Sequence, residues 1–137
     1  MLKVAHVVRR AGIGTGVGSV ADAVCVQMRR DGIDAVLFTL RETGWRWGEP
    51  KGKLAPLLRV LEIVWFTAAG SVIARLRYPS KDGWVVFSHN DALVGQVYVN
   101  HGVLREALRM RPDTSWRWNP LHRFLLAREW LRHRSRG

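Results

Sequence analysis

The chain has 137 residues, about the size of one ordinary domain, and its 47% apolar and 24% charged residues exclude a disordered protein. Its one cysteine, Cys25, excludes an internal disulfide and a cysteine-rich zinc site. The formal net charge of +11 favours an acidic partner, such as an anionic membrane, a nucleic acid or a phosphate-bearing substrate.

The N-terminal part predicts a strand, a glycine-rich loop, a helix and a second strand. Residues 3–8 are apolar and rich in β-branched side chains, which is typical of a buried strand. Apolar residues recur at helical spacing over residues 17–31, and Gly32 follows as a helix stop. Residues 33–40 predict the second strand, so this part resembles the opening of a doubly wound α/β sheet.

The rest of the chain continues the alternation of helices and strands. The predicted elements are a loop at 41–53, a helix at 54–77, strands at 84–87 and 96–100, and helices at 103–110 and 121–133. We therefore expect a Rossmann-like open sheet of about four mainly parallel strands flanked by helices. An outer helix of such a sheet normally returns to another strand, so residues 1–137 are expected to be one incomplete domain.

Residues 57–76 are the nearest approach to a membrane-spanning segment. They include Arg59, Glu62 and Arg75, and a charge at the centre of a bilayer costs roughly 2.5–3.5 kcal/mol on insertion scales. We expect no span here, and the N-terminus shows no secretory signal pattern. The sequence thus predicts a cytoplasmic protein, and its basic charge is compatible with peripheral binding at the inner face of the membrane.

A glycine-rich loop directly precedes the first predicted helix. Between Ala11 and Gly18 every second residue is a glycine, which permits positive φ angles and brings backbone amides close to a ligand. The helix N-terminus behind the loop favours anions. The loop predicts binding of a diphosphate or a nucleotide sugar, and the alternative is a tight turn without a ligand.

The same loop partly matches the dinucleotide-binding fingerprint, through Gly16, Gly18 and Ala21. Two features disfavour this interpretation. Arg9 and Arg10 lengthen the connection after the first strand, and Glu42 is the only acidic candidate for contacting a ribose. An NAD(P)-dependent oxidoreductase domain remains an alternative function.

Two histidines follow predicted strands, in Ser88-His89-Asn90 and Asn100-His101-Gly102. Ligands of open α/β sheets bind outside the carboxyl ends of the strands, where these side chains are expected. Either imidazole could form hydrogen bonds to a substrate or carry a proton near neutral pH. The alternative for each is a capping or surface histidine.

The arginine-rich C-terminal quarter contains no recognised nucleic-acid-reading motif, so no specific nucleic-acid partner is expected. Tryptophans flank an arginine at Trp45 and Trp47, and again at Trp116 and Trp118. They could stack on sugars or bases, or pack a loop against the body of the protein. A non-enzymatic basic module that binds membrane or nucleic acid is the third alternative.

Taken together and in order, these segments resemble the N-terminal, acceptor-side domain of family 4 glycosyltransferases of the two-Rossmann-domain (GT-B) kind. The resemblance is carried by Lys3-Val-Ala-His-Val-Val-Arg-Arg10 with the glycine loop and Val20-Ala-Asp-Ala23, by Phe87-Ser-His-Asn-Asp-Ala-Leu93, and by Tyr98-Val-Asn-His-Gly-Val-Leu104. It is weakest at 41–53 and in the long helix.

The resemblance implies retaining transfer of a sugar from a UDP- or GDP-linked donor to a glycan or lipid-linked acceptor, with no metal or other cofactor required. It places Gly14, Gly16 and Gly18 near the donor diphosphate. It makes His101 the catalytic histidine, in contact with the transferred sugar or the acceptor. His89 and Asn90 are the corresponding substrate-binding residues after the third strand, and cell-surface glycan synthesis at an anionic membrane is the implied setting.

One departure from the family is large. The family's pair of glutamates in the C-terminal nucleotide-sugar domain has no counterpart, because Glu42 and Glu49 are one position too close and lie in a loop. We expect that domain to be absent from these 137 residues, and we expect the chain to have no transferase activity by itself.

Overall fold

Four parallel strands form one sheet in the order β2-β1-β3-β4. They are β1 (Lys3–Val7), β2 (Asp34–Phe38), β3 (Trp84–His89) and β4 (Val97–Val99). Central β1 pairs with both neighbours, with Val4 opposite Ala35 in β2 and opposite Val85 in β3. Since all strands run the same way, their carboxyl ends lie at one edge. The predicted Rossmann-like α/β fold is confirmed.

The computed structural model describes residues 2–12, 14–99 and 104–134. The chain divides into two compact units, residues 1–99 and residues 100–137, and each is described by itself. The first unit contains the whole sheet. That residues 1–137 form one incomplete domain stays a prediction.

Helix α1 (Val17–Arg30) covers one face of the sheet. Its buried residues Ala21 and Cys25 lie one helical turn apart, and Cys25 belongs to a core cluster with Val4 of β1 and Ala35 of β2. The helix stops as predicted, since Arg29 and Arg30 occupy its last turn and Gly32 follows with φ +80°.

The other core cluster contains residues of a long helical stretch, formed by α2 (Ala55–Trp65), a π-helical turn (Phe66–Gly70) and α3 (Ser71–Arg77). The rings of Phe38 and Phe66 lie 6.2 Å apart in this cluster. The helix predicted at 54–77 is confirmed, but its π-helical turn was not predicted.

Strand β3 is two residues longer than predicted. It continues through Ser88 and His89 because both residues pair with β4, opposite Tyr98 and Val99. His89 is therefore the last residue of a strand, and it is buried like Ser88 before it.

Among the described residues, one helical stretch, Ala55–Asp82, is long and apolar enough to cross a membrane by length and composition alone. The core helix of a globular protein passes the same test. Here Phe66, Gly70 and Ala74 are buried. The expectation that this segment does not span a bilayer stays a prediction.

The described part of the second unit, residues 104–134, contains two α-helices, α4 (Leu104–Arg109) and α5 (Pro120–Arg134). Asn119 Oδ1 accepts a hydrogen bond from the Leu121 N–H at 2.9 Å, which caps α5 with Pro120 as its first residue. Glu129 of α5 accepts a hydrogen bond from the Leu104 N–H at 3.3 Å, so the two helices contact each other.

Candidate functional site

The candidate site lies at the carboxyl edge of the sheet, where β1 leads into the glycine loop and β3 ends at His89. Residues 8–16 connect β1 to α1 and contain Arg9, Arg10 and three glycines. Edge positions of this kind hold ligands in open α/β sheets. The sequence prediction that the loop and the end of β3 share one edge is consistent with the register of β1 and β3.

Three glycines of the loop adopt backbone angles that favour glycine. The φ angles are +109° at Gly12, +85° at Gly14 and +60° at Gly16, and the space around each α-carbon is open. A side chain would be strained here because of φ, and it would also screen the backbone. This open, exposed backbone suits close approach of a ligand.

Gly18 has a different role from the other three. A β-carbon at this position would collide with the carbonyl oxygen of Arg10 and with the hydroxyl of Thr15. Gly18 is buried in the first turn of α1 and allows the helix to lie directly on the loop. The structure thus supports a packing role for Gly18 and leaves the predicted diphosphate contact untested.

The loop is folded back on the helix start by two hydroxyl groups. Thr15 and Ser19 both donate to the carbonyl oxygen of Gly12, at 2.7 Å and 2.6 Å. Gly16 caps α1 without a side-chain hydrogen bond, and the first turn contains no acidic residue. The positive end of the helix dipole is therefore not neutralised by a side chain of its own turn.

A buried glutamate anchors both arginines that precede the loop. The Glu62 side chain is fully buried, and its Oε2 accepts from Arg10 Nη2 at 2.6 Å. Its Oε1 accepts from Arg10 Nε at 2.9 Å and from Arg9 Nη1 at 2.7 Å. This two-point contact with Arg10 fixes the planar guanidinium group at the edge of the sheet.

Opposing effects act on the ionisation of Glu62. Burial raises its pKa, but the hydrogen bond from Arg10 and the charges of Arg9 and Arg10 outweigh burial, so the net pKa lies below the usual value. The same hydrogen bond raises the pKa of Arg10. The cluster is therefore charged at neutral pH, as an ion triad that joins α2 to the end of β1.

The loop after β3 is tied to the loop after β1. The backbone N–H of Arg9 donates to Asp91 Oδ2 at 3.3 Å, and the Thr67 hydroxyl donates to the Asp91 carbonyl at 3.1 Å. Between His89 and Asp91, Asn90 has φ +58°, a conformation that asparagine tolerates better than most residues. Asn90 makes the turn at the edge, and contact with a substrate stays a prediction.

His89 does not face solvent in this structure. The residue is 2% exposed, and its Nε2 lies 3.0 Å from Nδ1 of His6, which is completely buried in β1. The other ring nitrogen of His6 lies 3.4 Å from the sulfur of Met28 in α1. Burial lowers the pKa of His6, so this imidazole is neutral at physiological pH.

Substrate binding by His89 stays a prediction, and the geometry favours an indirect contribution. Its ring contacts His6 and so joins the ends of β1 and β3. His101, the predicted catalytic residue, lies outside the described residues together with its neighbours at 100–103.

A cleft of about 570 Å³ opens beside the glycine loop, at the ends of β1 and β2. Its walls include Arg10, Thr15, Thr39 and the side chains of the loop after β2, among them Trp45 and Trp47. Glu42 also lines the cleft, but its Oε2 accepts from the Thr39 N–H at 2.7 Å and from the Thr39 hydroxyl at 2.6 Å. This carboxylate is thus used to cap the turn after β2.

Sequence reasoning missed three participants of the edge: Glu62, Asp91 and His6. In the sequence, Glu62 is an unfavourable charge within an apolar helix, although in the structure its carboxylate binds Arg9 and Arg10. The available signal was the isolated carboxylate in an apolar helix of a basic chain, because such a group needs a cationic partner.

Within the part of the chain that the structure describes, no group of three or more His, Cys, Asp and Glu side chains could hold a metal ion. Comparison with protein-family models, with curated proteins and with solved structures gives no match for this chain.

Proposed function

We propose that the chain is the acceptor-side portion of a retaining glycosyltransferase. Its glycine loop faces the diphosphate of a UDP- or GDP-linked sugar. The observation that carries this proposal is the open loop backbone at Gly14 and Gly16, in front of an α1 N-terminus that has no acidic residue in its first turn. Such a loop at the carboxyl edge of a parallel sheet suits a diphosphate, since backbone amides and the helix dipole both favour anions.

The acceptor belongs in the cleft beside the loop. Trp47 is well exposed there, and Arg41 and Arg46 add positive charge to the walls. Tryptophan rings stack on sugar faces, and arginines bind phosphate or carboxylate groups. His101 completes the proposal as the group that contacts the transferred sugar or the acceptor, by resemblance to the family.

The alternative, binding of NAD(P), has partial support. Gly18 and buried Ala21 allow the close packing that the second half of a dinucleotide fingerprint provides. Two observations disfavour it. Residues 8–15 separate β1 from Gly16, and Oε2 of Glu42 is hydrogen-bonded to Thr39 instead of being left for a ribose.

Ligand-detected NMR tests the proposal with the chain as it is. Saturation-transfer difference spectra would be recorded for UDP-glucose, GDP-mannose, NAD and NADP at concentrations up to about 10 mM, which reaches millimolar dissociation constants. We expect transfer to one of the nucleotide sugars, and we expect inorganic pyrophosphate to compete for it. Binding of NAD or NADP alone would establish the alternative, and no binding of any nucleotide sugar would contradict the proposal.

Matched variants connect the signal to the loop. Gly14→Ala with Gly16→Ala introduces two side chains at positive φ and is expected to reduce nucleotide-sugar binding at least about tenfold. Gly32→Ala with Gly83→Ala is the control, because both glycines also have a positive φ and open space but precede the amino ends of β2 and β3. Equal binding by the loop variant and this control variant would remove the loop from the site.

A further inference from the structure

An exposed apolar face runs along the helical stretch formed by α2 and α3. Its large side chains are spaced by three, four or seven residues, apart from the adjacent Val64 and Trp65, so they share one side of the helix. They are all between 39% and 75% exposed, and we call them the apolar stripe: Leu54, Leu57, Leu61, Val64, Trp65, Val72 and Leu76. An apolar surface of this length needs a partner, because globular proteins rarely leave one in water.

The stripe faces away from the sheet. Glu62, Phe66, Gly70 and Ala74 are buried on the opposite side of the same helical stretch, and Glu62 binds two arginines there. A transmembrane orientation would expose this triad and the core residues to lipid. The geometry instead presents the stripe sideways, with the helix axis parallel to whatever surface covers it.

The exposed charge around the stripe is mostly basic. Six exposed basic residues lie beside it or at its ends: Lys51, Lys53, Arg59, Arg75, Arg77 and Lys81. The acidic residues of the same segment are buried Glu62 and, at its two ends, exposed Glu49 and Asp82. The exposed charges of residues 49–82 therefore sum to about +4, which favours an anionic surface.

Tryptophans lie next to the stripe. Trp65 is 42% exposed while its indole N–H donates to the Thr43 hydroxyl at 3.1 Å. Trp45 and Trp47 line a groove of about 590 Å³ that also contains Leu61 and Val64. Tryptophan favours the boundary between lipid headgroups and acyl chains, since one part of its ring system is apolar and another is polar.

We propose that the apolar stripe is a docking surface for an anionic lipid bilayer, with α2 and α3 lying in the plane of the headgroups. The stripe would enter the acyl boundary, and the flanking lysines and arginines would contact the phosphates. A second copy of the chain fits the surface less well, because two copies would each bring a net charge of +11 and the same basic rim. This inference is independent of the sugar-transfer proposal.

Vesicle co-sedimentation tests the proposal with the full chain. We expect binding to vesicles of phosphatidylcholine with about one third phosphatidylglycerol, and at least tenfold weaker binding to phosphatidylcholine alone. Leu57→Glu with Leu76→Glu should reduce binding to the anionic vesicles at least tenfold, because it places two carboxylates in the stripe. Both positions are more than half exposed, so the fold should be retained in far-UV circular dichroism.

A control pair separates the stripe from a general effect of added negative charge. Val20→Glu with Val26→Glu makes the same charge change on exposed positions of α1 and should leave vesicle binding within about twofold of the parent chain. Equal losses of vesicle binding in the two double variants would overturn the proposal. So would a folded parent chain that does not bind anionic vesicles. The parent chain could instead form a dimer and fail to bind vesicles. If Leu57→Glu with Leu76→Glu then dissociated that dimer, the stripe would be assigned to a second copy of the chain.

Discussion

Nδ1 of His6 lies 3.0 Å from Nε2 of His89, so two buried imidazoles share a hydrogen bond between β1 and β3. One ring donates and the other accepts, which requires at least one neutral imidazole. Burial lowers the pKa of His6 below its usual value of 6.5. The packing of these two strand ends therefore depends on pH.

The first prediction concerns this pH dependence. As the pH falls below 6.5, the unfolded chain takes up a proton at His6 before the folded chain does, so the free energy of unfolding should decrease. The contribution is complete above 6.5 and is lost as the pH falls towards the lowered folded-state pKa. Urea unfolding between about pH 8 and about pH 5 measures it.

His6→Gln keeps a hydrogen-bonding side chain that cannot titrate and should flatten this dependence. His133→Gln, at an exposed histidine of α5, is the control and should keep it. A parent chain with the same stability at both ends of the pH range would argue against a neutral buried His6.

The second prediction concerns the ion triad. Glu62→Gln leaves Arg9 and Arg10 without their shared carboxylate, and it should lower the free energy of unfolding by about 2 kcal/mol. This value is below the usual range for a buried pair because the two arginine side chains are 26% and 33% exposed. Urea unfolding at neutral pH measures the change.

Glu49→Gln is the matched control, since Glu49 also lies within 3.4 Å of Arg10 but its side chain is 73% exposed. It should change stability by less than about 0.5 kcal/mol. Similar effects of the two substitutions would show that burial of Glu62 contributes nothing to the triad.

The third prediction concerns Gly18. Gly18→Ala places a methyl group against the Arg10 carbonyl, so the backbone must move to make room for it. We therefore expect the free energy of unfolding to fall by about 2 kcal/mol. Gly48→Ala, at an open position with ordinary φ, should change stability by less than about 0.5 kcal/mol. Thermal unfolding of both variants is the measurement, and an unchanged Gly18→Ala midpoint would contradict the close packing of α1 on the loop.

Local patterns predicted most of the fold. The apolar, β-branched run before the glycine loop marks β1, which is buried on both faces of the sheet. The helical spacing of Val17, Val20, Ala21, Val24 and Met28 marks α1, although the structure buries Ala21 and Cys25 and leaves Val20 and Val24 exposed. The end of β3 was harder to predict from the sequence. His89 is polar and looked like a residue after the strand, but pairing with Val99 extends the strand and buries the ring.

The candidate site was predicted in part. The glycine loop was found because its spacing is local and unusual. The ion triad was not found, since Glu62 lies 53 positions from Arg9 and 52 from Arg10 along the chain, beyond the reach of any periodicity. The single carboxylate of an apolar helix indicates that a cationic partner is needed, but the identity of that partner depends on where α2 packs in the fold.

Amide chemical-shift mapping with UDP-glucose and GDP-mannose tests whether the glycine loop binds a nucleotide sugar. We expect one of the two ligands to shift the amides of the loop between Gly14 and Gly18 and of Arg10, at the carboxyl edge. Amides at the amino ends of the strands, such as those of Lys3, Asp34 and Trp84, should stay in place. Shifts confined to those amino ends, or an unchanged loop at saturating nucleotide sugar, would contradict this expectation.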